Sequence, residues 1–183
     1  MNRLYYIIIV FFLYIRSIYG IPFNNSRNLV KGELLLCGGG YADSGENFGI
    51  ITGMEYGMNK YFLPIMKLGY INNDFYGGVE GKMVISTEFG GVDYLSIITG
   101  IHYNSDAGID ISLLSGNLYK NFDIYFGLDG DMNFKDSIEY PANFLIGVVL
   151  KPFRDEKGLL VELGIPITSF SYYQLGAVLR FDL

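Results

Sequence analysis

The chain has 183 residues, 50% of them apolar and only 17% charged, with a formal net charge of -6, one cysteine and one histidine. An acidic chain with no basic cluster cannot neutralise phosphates, which excludes nucleic acid as a partner, and a lone cysteine cannot form an intrachain disulfide. One Cys and one His leave no metal-ligand motif of the usual spacing, so no cofactor is expected.

Residues 1–20 read as a secretory signal, with Arg3 at its start, the apolar run Leu4 to Ile15, and Ser17-Ile18-Tyr19-Gly20 ending on a small residue. Arg16 interrupts the run before it is long enough for a transmembrane helix, which needs roughly 20 apolar residues. A polar lead-in, 21–30, follows, and 31–183 is expected to be a single domain. Cys37 follows Leu34-Leu35-Leu36 and precedes Gly38, an outline of an acylation site. Lys31 and Glu33 break the apolar approach to it, so the spacing points to a small residue packed in a strand.

From Lys31 onward the chain is a succession of strand-like runs separated by turn chemistry. Lys31 to Ala42 is followed by the turn 43–47, and Phe48 to Met58 by Asn59-Lys60. Tyr61 to Ile71 comes next, where Pro64 suggests a bulge or an irregular start. Asn72-Asn73-Asp74 leads to Phe75 to Glu88, and Gly90-Gly91 reads as a hairpin into Asp93 to Tyr103. Residues 104–108 turn into Ile109 to Gly116, and Phe122 to Asp129 precedes the longest connection, 130–141. Ala142 to Pro152, Leu159 to Ile165 and Tyr172 to Leu183 complete ten runs, or eight if the weaker first and ninth are discounted. The predicted fold is all-β: an antiparallel up-and-down β-barrel of 8–10 strands, whose closure removes both sheet edges.

In the run from Phe48, the residues Phe48, Ile50, Thr52, Met54, Tyr56 and Met58 share one face, and Gly49, Ile51, Gly53, Glu55 and Gly57 lie on the other. One face is bulky and the other nearly bare, with single charges among glycines. That suits a narrow polar interior better than a wetted exterior. Aromatics gather at strand ends, Tyr41, Phe48, Tyr70, Phe75 and Tyr103 at one level and Tyr56, Tyr61, Phe89, Tyr119, Phe122 and Phe153 at the other, as interfacial girdles do. A soluble secreted barrel binding an apolar ligand is the alternative, with the bulky face turned inward.

On the membrane reading the interior carries Glu55, Lys67, Glu80, Lys82, Glu88, His102, Asp110, Asp123, Asp129, Lys151, Glu162, Arg180 and Asp182, which must pair to be tolerated. Such a network is either a polar core or a narrow, acid-biased passage for cations or small solutes. The outer connections 43–47, 104–108 and 130–141 are candidates for contact with extracellular or host ligands. With Asp74 they carry Asp43, Glu46, Asp106, Asp131, Asp136 and Glu139 against Lys135, an acidic bias that attracts cations or basic surfaces. Asp129-Gly130-Asp131-Met132-Asn133 has the oxygen spacing that opens a calcium loop, but Phe134 replaces its turn glycine and Tyr140 its bidentate acid.

The closing run places Tyr173, Leu175, Ala177, Leu179, Phe181 and Leu183 on one face. It resembles the terminal strand of bacterial outer-membrane β-barrels, although Leu183 stands where an aromatic is usual. The resemblance implies an outer-membrane location, contact with outer-membrane lipids, and recognition of Tyr173 to Leu183 by the barrel-assembly machinery. The abundance of Ile, Asn, Tyr and Phe also resembles small exported proteins of spirochaetes. His102-Tyr103-Asn104-Ser105-Asp106-Ala107-Gly108 is similar to the His-x-Ser-Asn-Ala segment of outer-membrane lipid A deacylases. That likeness implies a lipid esterase with His102 as base, Ser105 as nucleophile and Asp106 or Asp110 as orienting acid. His102 and Ser105 are three apart, so they share no strand face, and no Gly-x-Ser-x-Gly elbow occurs. The favoured reading is a structural, adhesive or narrow-pore barrel with no catalytic residues.

Overall fold

A strand with one face packed and the other free repeats every two residues, and the described segments follow that period. The computed structural model describes residues 29, 31–43, 48–71, 73–86, 91–134, 138–139, 142–150, 157–167 and 172–182. The expected signal segment, the lead-in apart from Leu29, and the expected interior charges Glu88 and Lys151 lie outside the described residues. The strands are β1 (Glu33–Asp43), β2 (Phe48–Tyr56), β3 (Phe62–Ile71), β4 (Asp74–Ser86), β5 (Tyr94–Asn104), β6 (Asp106–Leu118), β7 (Phe122–Phe134), β8 (Ile138–Glu139), β9 (Ala142–Leu150), β10 (Lys157–Pro166) and β11 (Tyr172–Asp182).

β1 to β7 pair antiparallel in succession, β7 pairs with β9, and β9 continues through β10 to β11. β11 returns to β1 in an unbroken register from Glu33↔Asp182 to Asp43↔Tyr172. Among the described residues, ten strands therefore form a closed up-and-down ring, and the two-residue β8 folds against the end of β7. Closure satisfies the backbone N–H and C=O groups that an open edge would leave unpaired. No helix among the described residues is long and apolar enough to cross a membrane.

Three local readings are corrected. Pro64 lies inside β3 opposite Gly81 with no slip, because the register from Phe62↔Met83 to Ile71↔Asp74 holds the strand around it. The irregularity falls instead between β4 and β5, at Val84 and Ser86. The connection expected at 130–141 begins only after Phe134, since β7 stays paired with β6 through Asp131↔Asp110 and Asn133↔Gly108. The turn expected at 104–108 shrinks to Ser105, whose φ of 61° reverses the chain between Asn104 and Asp106.

The burial pattern is inverted relative to a soluble barrel. Large apolar side chains such as Ile50, Val79, Ile101 and Ile111 face outward at 59–67% exposure, while Lys82 is 0% and Lys67 2% exposed inside. Exposed aromatics sit at both strand ends: Phe48, Tyr70, Phe75 and Tyr103 at one, Tyr56, Tyr61, Tyr119 and Phe122 at the other. This is the polarity of a membrane-type barrel. Of the remaining expected girdle residues, Phe89 and Phe153 lie outside the described residues.

The bare inward face makes room for large side chains across the ring. Tyr76, Tyr94 and Tyr125 are fully buried, and Leu29, from the expected lead-in, joins Leu35, Ile51 and Leu160 in the same core. A Cβ at Gly147 would run into the Tyr125 ring, and one at Gly116 into the Tyr94 hydroxyl and the β7 backbone. Gly147→Ala is therefore expected to destabilise the barrel by about 1–3 kcal/mol through overpacking. Gly40→Ala, where a Cβ meets nothing within 4 Å, is expected to show no such loss. Urea unfolding in detergent followed by circular dichroism measures both.

Candidate functional site: the charged interior

Strand register lays the interior charges out in rows around the ring. One row runs Leu35, Glu55, Ile65, Glu80, Gly100, Asp110 and Asp131 across β1 to β7. The adjacent row runs Cys37, Gly53, Lys67, Gly78, His102, Gly108 and Asn133. A third carries Leu63, Lys82, Ile98, Ser112, Asp129 and Asn143. Glycines flank His102 on both sides, and a Cβ at Gly108 would collide with its ring. The small residues thus create the volume in which the long polar side chains meet.

Lys67 Nζ contacts Glu80 Oε1 at 2.7 Å, with the two side chains 3% and 1% exposed. Lys82 Nζ donates to Glu55 Oε1 at 3.3 Å, and both are buried. Away from water such pairs are held by direct contact, and losing one partner strands the other charge. Ser112 donates its hydroxyl to Asp129, and Tyr125 donates to Glu162. Asp123 is buried at the end of β7. Arg180 occupies the register position opposite Leu35, and Asp182 that opposite Glu33.

His102 is bonded on both ring nitrogens. Nε2 lies 2.9 Å from Asn133 Oδ1, and Nδ1 lies 2.7 Å from Asp110 Oδ1. An amide oxygen only accepts, so Nε2 carries a proton, and a hydrogen bond at Nδ1 needs a second proton, on the ring or on Asp110. Tyr76 stacks on the imidazole with ring centroids 6.1 Å apart and an interplanar angle of 30°.

The serine of the lipid-deacylase resemblance is elsewhere. Ser105 is exposed at its turn and donates to Asp74 Oδ2 at 2.7 Å, while His102 is buried on the inner face. Asp106 starts β6 beside that turn, and the orienting acid on His102 is Asp110. The geometry does not bring base and nucleophile together, because a strand turns adjacent residues to opposite sides.

Sequence reasoning passed over Asp131 and Asn133 as interior residues. It assigned them to a loop with a calcium-like spacing, yet both belong to β7, in extended backbone that cannot wrap a single ion. Continuing the period of two from Asp129 through Asp131 to Asn133 is the signal that finds them. The spacing in sequence also concealed a ligand-like group: donor atoms of His102, Asp110 and Asp131 all lie within 4.8 Å of one another.

Lys67→Met is expected to destabilise the barrel by about 3–5 kcal/mol by leaving Glu80 buried without its partner. Adding Glu80→Gln in the same chain is expected to recover part of that loss. Urea midpoints of the single and double variants in detergent decide it; equal midpoints would mean the two groups do not interact.

No family model matches the chain, and no curated protein matches it. Among solved structures, one described as "De novo design of transmembrane beta-barrels" is similar over 85% of this chain and 100% of its own, at 13% identity and a TM-score of 0.47. At that identity and score the likeness has no bearing on role.

Proposed function

We propose that the chain is an integral outer-membrane barrel with a filled interior, serving a structural or surface-binding role rather than acting as an open channel. The inverted distribution of side chains carries this reading: apolar groups cover the outside while lysines and carboxylates are sealed within. Strands of 9 to 13 residues, in the eight hairpin-forming strands β2 to β7, β9 and β10, match or exceed the roughly 9–11 that a tilted membrane strand needs.

A filled interior supports the choice between roles. Tyr76, Tyr94 and Tyr125 are fully buried across the ring, and the lysine and carboxylate pairs hold one another rather than line a wet passage. A barrel of this strand number has little free volume once side chains occupy it. Surface contact then falls to the connections at the Ser105 end, where Asp74 and Asp106 contribute negative charge that favours cations or basic surfaces.

Fractionation of the producing cell is expected to return the protein in the outer membrane, with different gel migration before and after boiling in detergent. In planar bilayers the purified protein is expected to give no sustained conductance steps. Phe126→Lys and Ile111→Lys, each placing a charge on the outer face at mid-strand, are expected to cost about 2–4 kcal/mol of membrane stability. A soluble, heat-indifferent protein would defeat the membrane reading, and steady ohmic steps would defeat the closed one.

A further inference from the structure

We propose that His102, Asp110 and Asp131 form a binding site for a zinc-class divalent cation inside the barrel, oriented from behind by Asn133. This goes beyond the membrane role and stands on separate observations.

The first is a like-charge pair. Asp110 and Asp131 are direct register partners on β6 and β7, and both point inward. Facing carboxylates repel unless something positive lies between them. Lys67 is already in contact with Glu80 at 2.7 Å, so Asp110 is left touching His102 and its facing acid Asp131, and either a proton shared between the two acids or a cation must offset their charge.

The second is an unanswered set of oxygen atoms. Asp110 is 5% exposed, and its Oδ2 has no hydrogen-bond partner; nor does Asp131 Oδ1. The Tyr76 hydroxyl, on a residue 0% exposed and stacked on His102, is also without one. Leaving buried polar atoms unsatisfied is costly, and an ion entering between them is one of the ways such atoms are answered.

The third is the histidine tautomer. Asn133 Oδ1 accepts from Nε2–H, which turns the Nδ1 lone pair toward the two carboxylates. Metal-bound imidazoles are held in this manner, with the distal N–H tied to an oxygen acceptor that fixes ring orientation. Nδ1 and Asp110 Oδ1 now stand 2.7 Å apart. Ligands of a tetrahedral zinc at about 2.0–2.1 Å are separated by about 3.3 Å, so a small rotation of the Asp110 carboxylate admits the ion.

One nitrogen and two carboxylate oxygens suit zinc, with a fourth position left to water. Calcium and magnesium, which take six or more oxygens, are poorly served by so few donors.

Because His102 is the only histidine of the chain, its imidazole reports the site without ambiguity. The untagged protein, refolded in detergent and stripped with chelator, is titrated with zinc chloride while bound metal is counted by elemental analysis and the 15N imidazole resonances are recorded. One retained zinc per chain, with the Nδ1 resonance moving to the metal-bound range and Nε2 remaining protonated, is the expected result. Asp131→Asn is expected to weaken zinc binding at least about tenfold, and Asn133→Leu by about 10–100-fold. No retained zinc together with a doubly protonated imidazolium would overturn the proposal, since a proton would then supply the missing charge. Zinc binding of unchanged strength in Asp131→Asn would overturn it as well. The wild-type resonances decide the matter even if a variant does not refold.

Discussion

Closure of the backbone ring is the constraint from which the rest follows. Once β11 pairs with β1, each of the ten strands of the ring has two neighbours, so the ladder needs no water and the outer surface is free to be apolar. Closure also sets the interior volume, because ten strands enclose a space that side chains nearly fill. Large groups such as Tyr125 and His102 can enter only where the facing strand gives way, and the bare positions Gly147 and Gly108 are where it does. The alternation of bulk and glycine is thus a packing solution for a narrow closed ring.

Polar burial inside that ring has its own logic. With the outer face given over to apolar groups, inward charges have no route to bulk water and must find partners across strands. Lys67 with Glu80 joins neighbouring strands at adjacent rows of the register, whereas Lys82 reaches from β4 past β3 to Glu55 on β2. Each bond ties strands together by more than the ladder, and fixes register, since a slip of one residue would turn the charges outward. Stability is not the evident gain, because replacing such pairs by apolar groups is often neutral or favourable. What the pairs supply is a unique alignment of β2, β3 and β4.

The alternation that specifies a barrel was legible because its signal is local: Phe48 to Tyr56 show the bulky and bare faces within one strand. Strand number was legible only as eight or ten, because the weak first and ninth runs could be counted either way, and the ring has ten strands among the described residues. The ends of β7 were not, because Gly130, Asp131 and Asn133 have the composition of a turn, and their strand character comes from pairing with β6. The same non-local cause hid one partner of His102. Asp110, 8 residues away, was already a candidate, but Asn133 lies 31 residues from it, and only the β5–β6–β7 register brings the two together. The Ser105 resemblance misled for the opposite reason: closeness in sequence suggested a contact that strand geometry forbids.

The interior is unevenly charged around the ring. On β9 and β10 the inward residues are Asn143, Leu145, Val149 and Leu160, with Glu162 held by the Tyr125 hydroxyl. On β4 to β7 the buried Tyr76, Tyr94, Ile98, Leu114 and Tyr125 share the interior with Glu80, Lys82, His102, Asp110, Ser112 and Asp129, and here the unpartnered oxygens of Asp110, Asp129 and Asp131 gather. A wall whose carboxylates outnumber the bases touching them stays electrically incomplete unless protons or a cation enter. The unpartnered oxygens of Asp110, Asp129 and Asp131 thus set that imbalance on β6 and β7, beside the His102 imidazole, at the half of the ring nearer the Ser105 turn.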